Sequence, residues 1–311
     1  MKNVGGPKTI AFVILLGFVL MTDSCSKSSD STSSLSPSVT TNVSAESTSQ
    51  SLTSEAADIS NSVTSNTGNG VLSGSRMEKI VIPGATAASW DPRLVCATVT
   101  ISPAAGSTKD NPQGTIIIYY DSTATCKDAI GVQRKGTINI AYSGQRFAIA
   151  STRVLTFQDY SRNGVKITGT YTISNRTDST ASAPLQYLHV LANGKLTFVN
   201  GKSITRNHIY TFVWTRGNTP GGDSFAIKAG STATGSTEDG TSYSVNVSSD
   251  LTYTLPCLLQ KIFIPVTGNK TLELGTSTYS INYGTGTCDN VITVSLGSGP
   301  AQSITLTSDG N

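Results

Sequence analysis

The sequence predicts an all-β fold, an antiparallel multi-stranded sandwich or long twisted meander, preceded by a signal peptide and a disordered Ser/Thr-rich tether. Three observations predict it. Segments of strand length alternate apolar and polar residues with period two, and turn dipeptides separate them. No part of residues 76–311 carries a sustained 3.6-residue apolar stripe. Composition agrees: 13% of residues are charged, with 29 Gly and only 2 His. Thr and Ser take the wet positions that Glu, Lys and Ala would fill in a helical protein.

The leader comes first. Lys2 and Lys8 precede an apolar run from Ile10 to Met21. A helix needs about 20 apolar residues to span a bilayer, so this shorter run suits the h-region of a signal peptide over residues 1–24. Cys25 follows in Thr22-Asp23-Ser24-Cys25. The small Ser24 before it suits lipoprotein cleavage, although Thr22 stands where an aliphatic residue is usual. Cleavage there would leave Cys25 first in the mature chain, carrying lipid on its thiol and an acyl chain on its amine. Two or more chains anchor stably, whereas one does so only marginally. The expected localisation is the cell envelope, as an outer-membrane lipoprotein facing the periplasm or the surface.

Residues 25–75 read as the tether. More than half of residues 26–67 are Ser or Thr, and such a segment cannot by itself bury enough apolar surface to offset its ordering entropy. A random coil of that length spans roughly 35–40 Å. Leu52, Ala56, Ile59 and Val63 form one helical stripe inside it, a possible short helix over 51–63.

The β domain occupies 76–311. Val165, Ile167, Tyr171 and Ile173 alternate with Lys166, Thr168, Thr170, Thr172 and Ser174, the pattern of a half-buried strand. Ile138–Tyr142, Tyr243–Val247 and Tyr279–Tyr283 repeat it. Asn163-Gly164, Asn193-Gly194, Asn200-Gly201 and Asp239-Gly240 supply turns, because these pairs tolerate positive φ. Tyr187–Phe198 reads as a hairpin turning at Asn193-Gly194.

Besides Cys25 the domain holds Cys96, Cys126, Cys257 and Cys288, with separations of 30 and 31 within the two close pairs. In each pair the first cysteine opens an apolar strand and the second follows a small-residue turn, so a repeated unit frames the domain. Four cysteines allow three pairings. Equal spacing favours Cys96–Cys126 and Cys257–Cys288, each worth roughly 3–4 kcal/mol in the chain-entropy model. Four free thiols are the alternative; a four-thiolate metal site lacks the close C-x-x-C spacing.

The order of these features resembles a known group. Signal, Cys25, hydroxyl-rich arm, Cys96-Ala-Thr-Val-Thr-Ile, Arg134-Lys135-Gly136-Thr-Ile-Asn-Ile and Asn282-Tyr-Gly-Thr-Gly-Thr-Cys-Asp-Asn290 are similar to the uncharacterised β-rich lipoproteins of Bacteroidota. The resemblance covers nearly the whole chain. It implies an exported β-rich lipoprotein and assigns no activity, so no catalytic residue follows from it. Two departures stand out. The first cysteine turn lacks glycine, and only Lys27 and Asp30 offer charge just after Cys25.

Residues for chemistry are sparse. His189 alternates with Leu188 and Val190, which places it on the polar side of a strand, and His208 stands at a strand start. No G-x-S-x-G elbow, calcium loop or spaced carboxylate pair occurs, so no catalytic residue, cofactor or metal is expected. The net charge of +3 argues against a nucleic-acid partner. Tyr210, Phe212 and Trp214 alternate on one strand and would form a glycan or protein-partner surface if exposed, or a core stripe if not. Trp90-Asp91-Pro92-Arg93 reads as a packing plug. The expected function is a noncatalytic structural or interaction domain held to a membrane through lipid on Cys25. A glycan- or lipid-binding module is the alternative, and a hydrolase is less favoured.

Overall fold

One antiparallel sheet of 15 strands contains every strand of the molecule that is described, and one long helix packs against it. The computed structural model describes residues 35–68 and 79–306, apart from 124, 129–130, 146, 179–184, 216, 218–222 and 261. The leader, Cys25 and residues 69–78 lie outside the described residues.

Helix α1 is Pro37–Gly68. After β1 (Ile80–Ile82) come the short α2 (Gly84–Ala87) and a 3-10 turn at Pro92–Leu94. Strands β2 (Ala97–Pro103), β3 (Gln113–Tyr120), β4 (Arg134–Ser143), β5 (Thr152–Arg162) and β6 (Val165–Asn175) follow. Then come β7 (Leu185–Thr197), β8 (Ser203–Thr215), β9 (Ser224–Ile227), β10 (Thr232–Ser236) and β11 (Ser242–Thr254). The chain closes with α3 (Leu255–Leu259), β12 (Thr267–Leu274), β13 (Ser277–Thr285), β14 (Val291–Leu296) and β15 (Gln302–Thr305).

The topology is a meander in which nearly every strand pairs with its sequence neighbours. The exception lies between β8 and β11. There β10 pairs with one end of both strands, and β9 pairs with the other end of both. The two short strands thus fill one slot end to end. Of the two architectures the alternation allows, the meander is the one adopted.

The turns at Asn163-Gly164, Asn200-Gly201 and Asp239-Gly240 all have glycine at positive φ. Asn193-Gly194 differs. The chain runs through it as a β-bulge inside β7, with Asn193 at φ 54° and the register against β8 shifting between Leu191 and Gly194. A side chain at Gly194 would strike the Arg206 carbonyl oxygen at 2.5 Å. The pair therefore serves close approach at a bulge, and the turn comes later, at Asn200-Gly201.

The arm also differs from expectation. Instead of a flexible tether, residues 37–68 form α1, and from Asn42 to Thr64 most of it is buried. Val43, Leu52, Ile59 and Val63 join the same apolar core as Ile101, Ile118, Ile140, Leu155, Val245, Ile281 and Val294 from the sheet. Polar contacts to α1 come from β4, β5, β8, β11 and β12, and β15 holds Leu35 just before it, so the sheet curls around the helix. Ser and Thr are poor helix formers and such a helix would be marginal alone. Here its small side chains let strands approach on several sides, and its hydroxyls bond back along the helix: Thr53 Oγ1 to the Ser49 carbonyl and Thr64 Oγ1 to the Ser60 carbonyl, both 2.8 Å. The segment could not offset its ordering entropy alone; the sheet supplies the missing surface.

Candidate functional site

The cysteines set the frame. Cys96 is bonded to Cys126, with Cα atoms 5.8 Å apart, and Cys257 to Cys288, 5.1 Å apart. The first bridge ties the entry of hairpin β2–β3 to its exit, and the second does the same for β12–β13. Among the described residues no helix is long and apolar enough to cross a membrane, and no group of His, Cys, Asp or Glu is arranged to hold a metal.

The aromatic stripe on β8 faces inward at its start. Tyr210 is buried, and its hydroxyl bonds with the Arg206 guanidinium. Phe212 is half-buried, stacked on His189 at 4.9 Å and packed against the core. Trp214 is also half-buried; its Nε1 donates to Asp223 at 3.0 Å and its ring lies 6.0 Å from Phe225 and 6.3 Å from Phe147. Of this set only Phe147, from the β4–β5 connection, is an exposed large apolar residue. The three residues therefore do not form one exposed surface.

His189 is a correction. It lies on the inner face of β7, and its Leu188 and Val190 neighbours point the other way. Its Nδ1 meets the Tyr171 hydroxyl at 2.9 Å. His208 is likewise buried, stacked on Tyr210 at 4.4 Å, and neither ring nitrogen has a hydrogen-bond partner. The reason is an inverted stretch of sheet. Arg153, His189, Arg206 and His208 face inward, whereas Ile209 is 57% exposed. An apolar-equals-inside rule fails where the interior must also accommodate a polar helix. Burial lowers both imidazoles, His189 to about 3 with a further contribution from Arg153, and His208 well below its usual value.

The densest chemistry is where α1 meets the sheet. Glu46 on α1 is fully buried; Oε1 accepts from Arg206 of β8 at 2.6 Å and Oε2 from Lys270 of β12 at 2.6 Å. Lys270 Nζ also donates to Gln50 Oε1 at 3.1 Å, Gln50 Nε2 donates to the Tyr253 hydroxyl at 3.0 Å, and the Tyr210 hydroxyl reaches Gln50 Oε1 at 3.5 Å. Lys270 also lies 5.4 Å from the Tyr283 ring centroid. Burial would push the Glu46 carboxyl up, but Lys270 and Arg206 outweigh it and hold the group below the ordinary carboxylate range. Burial pushes the phenols of Tyr171, Tyr210, Tyr253 and Tyr283 up, so all four are neutral.

A second cluster uses the opposite side of the helix. Glu55 pairs with Arg134 of β4, which also pairs with Asp128, and with Arg162 of β5 at 2.7 Å. Nearby, Arg93 bridges Asp91 and Asp58 at 2.6 Å each, which gives the Trp90–Arg93 segment its plug-like role. Glu46 and Glu55 are nine positions apart, which at about 100° per residue puts them half a turn from each other. The early strands grip one carboxylate and the late strands the other.

Glu46, Gln50, Glu55, Arg206 and Lys270 belong to no sequence motif, and Arg134 stands only in the Arg134-Lys135-Gly136 segment. A signal existed: Arg206 is in phase with Ile204 and His208, and Lys270 with Leu272, so each cation sits at an inward position of its strand. Such a cation demands a buried partner.

Compared with protein-family models, curated proteins and solved structures, the chain matches none of them.

Proposed function

We propose that this chain is an exported bacterial lipoprotein of the cell envelope, anchored through lipid on Cys25, whose β domain is a noncatalytic structural or interaction body. The cysteine accounting carries the reading. Four of the 5 cysteines pair within the domain, which suits an oxidising compartment. Cys25 is left over, directly behind a charged-then-apolar leader. The resemblance to Bacteroidota β-rich lipoproteins and an outer-membrane location belong to the same proposal. The noncatalytic part draws support from the burial of His189 and His208, which leaves neither imidazole at a surface where a substrate could meet it.

Fractionation of cells producing the wild-type chain and Cys25→Ala tests the anchor. The wild type is expected in the membrane fraction and the variant in the soluble extracytoplasmic fraction. Equal membrane retention of both would contradict lipid anchoring.

One observation favours a second reading, a glycan- or lipid-binding module. Phe147, Trp214 and Phe225 form an aromatic group at one end of β8 and β9, with Phe147 45% exposed. Glycan binding that disappears in Trp214→Ala would support it.

A further inference from the structure

Lys270 and Gln50 lie in a setting suited to reaction. The ammonium and the Gln50 carbonyl oxygen are 3.1 Å apart, which puts Nζ no farther than about 4.3 Å from the amide carbon, given a C=O bond of about 1.23 Å. Glu46 Oε2 touches the same ammonium at 2.6 Å, and Lys270 and Glu46 are both 0% exposed. The Tyr210 hydroxyl, itself held by Arg206, points at the carbonyl oxygen. Among the described residues the only carboxylate bonded to Arg206 or Lys270 is Glu46. Two buried cations thus share one buried anion, leaving a net positive charge away from water, a costly arrangement.

We propose that Lys270 and Gln50 form an intramolecular amide bond that ties β12 to α1. Glu46 Oε2 takes a proton from the Lys270 ammonium, and the freed Nζ electron pair attacks Gln50 Cδ. Negative charge gathers on Oε1, where the Tyr210 hydroxyl donates to it. The tetrahedral centre collapses, the Cδ–Nε2 bond breaks, and Nε2 departs with the proton held by Glu46. The second Nζ proton lost from the new amide converts the ammonia to ammonium. Glu46 ends as a carboxylate paired with Arg206. No oxidant, reductant or metal is consumed, and the buried charge falls to zero. The reaction runs once per molecule, so prior positioning of the partners can supply much of the rate. The product would lock the central helix inside the sheet covalently.

Tryptic mapping of the purified, reduced full-length chain tests this. Trypsin has no site between Lys27 and Arg76, nor after Lys270. The expected product is peptide 28–76 joined to peptide 262–311, with the mass of the two less one ammonia and fragment ions placing the link at Gln50 and Lys270. Any modification of Cys25 lies outside both peptides. Recovery of 262–270 and 271–311 as separate peptides in full yield would overturn the proposal. So would a linked species lighter by water and joined at Glu46, or an ammonia loss located at an Asn-Gly pair with no linked peptide. Lys270→Arg keeps a cation for Glu46 and is expected to abolish the linked peptide. Tyr210→Phe is expected to lower the linked fraction several-fold in freshly made protein. If Lys270→Arg fails to fold, the wild-type map still decides.

Discussion

Glu46 is one carboxylate shared by two strands that are far apart in sequence, and it is fully buried with both of its cations. Replacing one member of a buried charge pair costs about 3–5 kcal/mol. Glu46→Gln is therefore expected to lower unfolding stability by that order, measured by denaturant titration, while an exposed pair such as Lys166–Asp159 should matter little when broken. His208 is the reverse case. Its ring bonds to nothing, so His208→Leu should cost about 1 kcal/mol or less at neutral pH. The histidines also set a pH dependence. Burial holds both imidazoles far below about 6.5, the unfolded value, so the unfolded chain binds the extra protons first. Stability is then full above about pH 6.5 and falls as pH drops from there towards the folded value of about 3 for His189, by up to roughly 1.4 kcal/mol per unit for each histidine. Denaturation midpoints at pH 7 and pH 5 check this, and His208→Leu should flatten the slope. A midpoint that rises on acidification would contradict the burial of the histidines.

At the scale of elements, α1 is the centre of the β domain. A chain beginning at Arg76 loses the helix that supplies Glu46 and Glu55, and leaves Arg134, Arg162, Arg206 and Lys270 without those partners. It is expected to show no cooperative thermal transition, whereas a chain beginning at Ser33 should show one. The disulfides act on single hairpins. Replacing both Cys257 and Cys288 with Ser should cost roughly 3–4 kcal/mol, read from the same titration under matched conditions. The sequence was legible where one rule governs an element. Val165–Ser174 is a strand because one face is core and the other water, and equal spacing anticipated both disulfides. It was not legible where two elements depend on each other. Ser and Thr in 37–68 read as disorder because helix propensity and apolar stripe are both weak, and the cations that compensate Glu46 and Glu55 lie 79 to 224 positions away. His189 was misplaced for the same reason: its inward position makes sense only once a polar helix occupies the interior. Of α1, the 51–63 stripe alone was visible, since Leu52, Ile59 and Val63 follow the ordinary apolar rule.

For the whole molecule, the helix changes how an anchored chain would stand on a membrane. Cys25 is separated from Leu35 by ten residues, and Leu35 N is fixed to Gln302 of β15 at 2.9 Å. Even fully extended, ten residues reach about 35 Å. Under the proposed anchoring, the lipid on Cys25 would lie within about that distance of Leu35 and Gln302. The sheet curls around α1, and ionic contacts on opposite sides of the helix hold it there. The buried ion pairs of the domain depend on that enclosure. Hydrogen exchange of the full chain, followed residue by residue in α1, tests it most directly. Amides from Asn42 to Thr64 are expected to exchange as slowly as those of the central strands, opening only with global unfolding. Exchange of those amides at the rate of an unstructured peptide, while the strands stay protected, would contradict it.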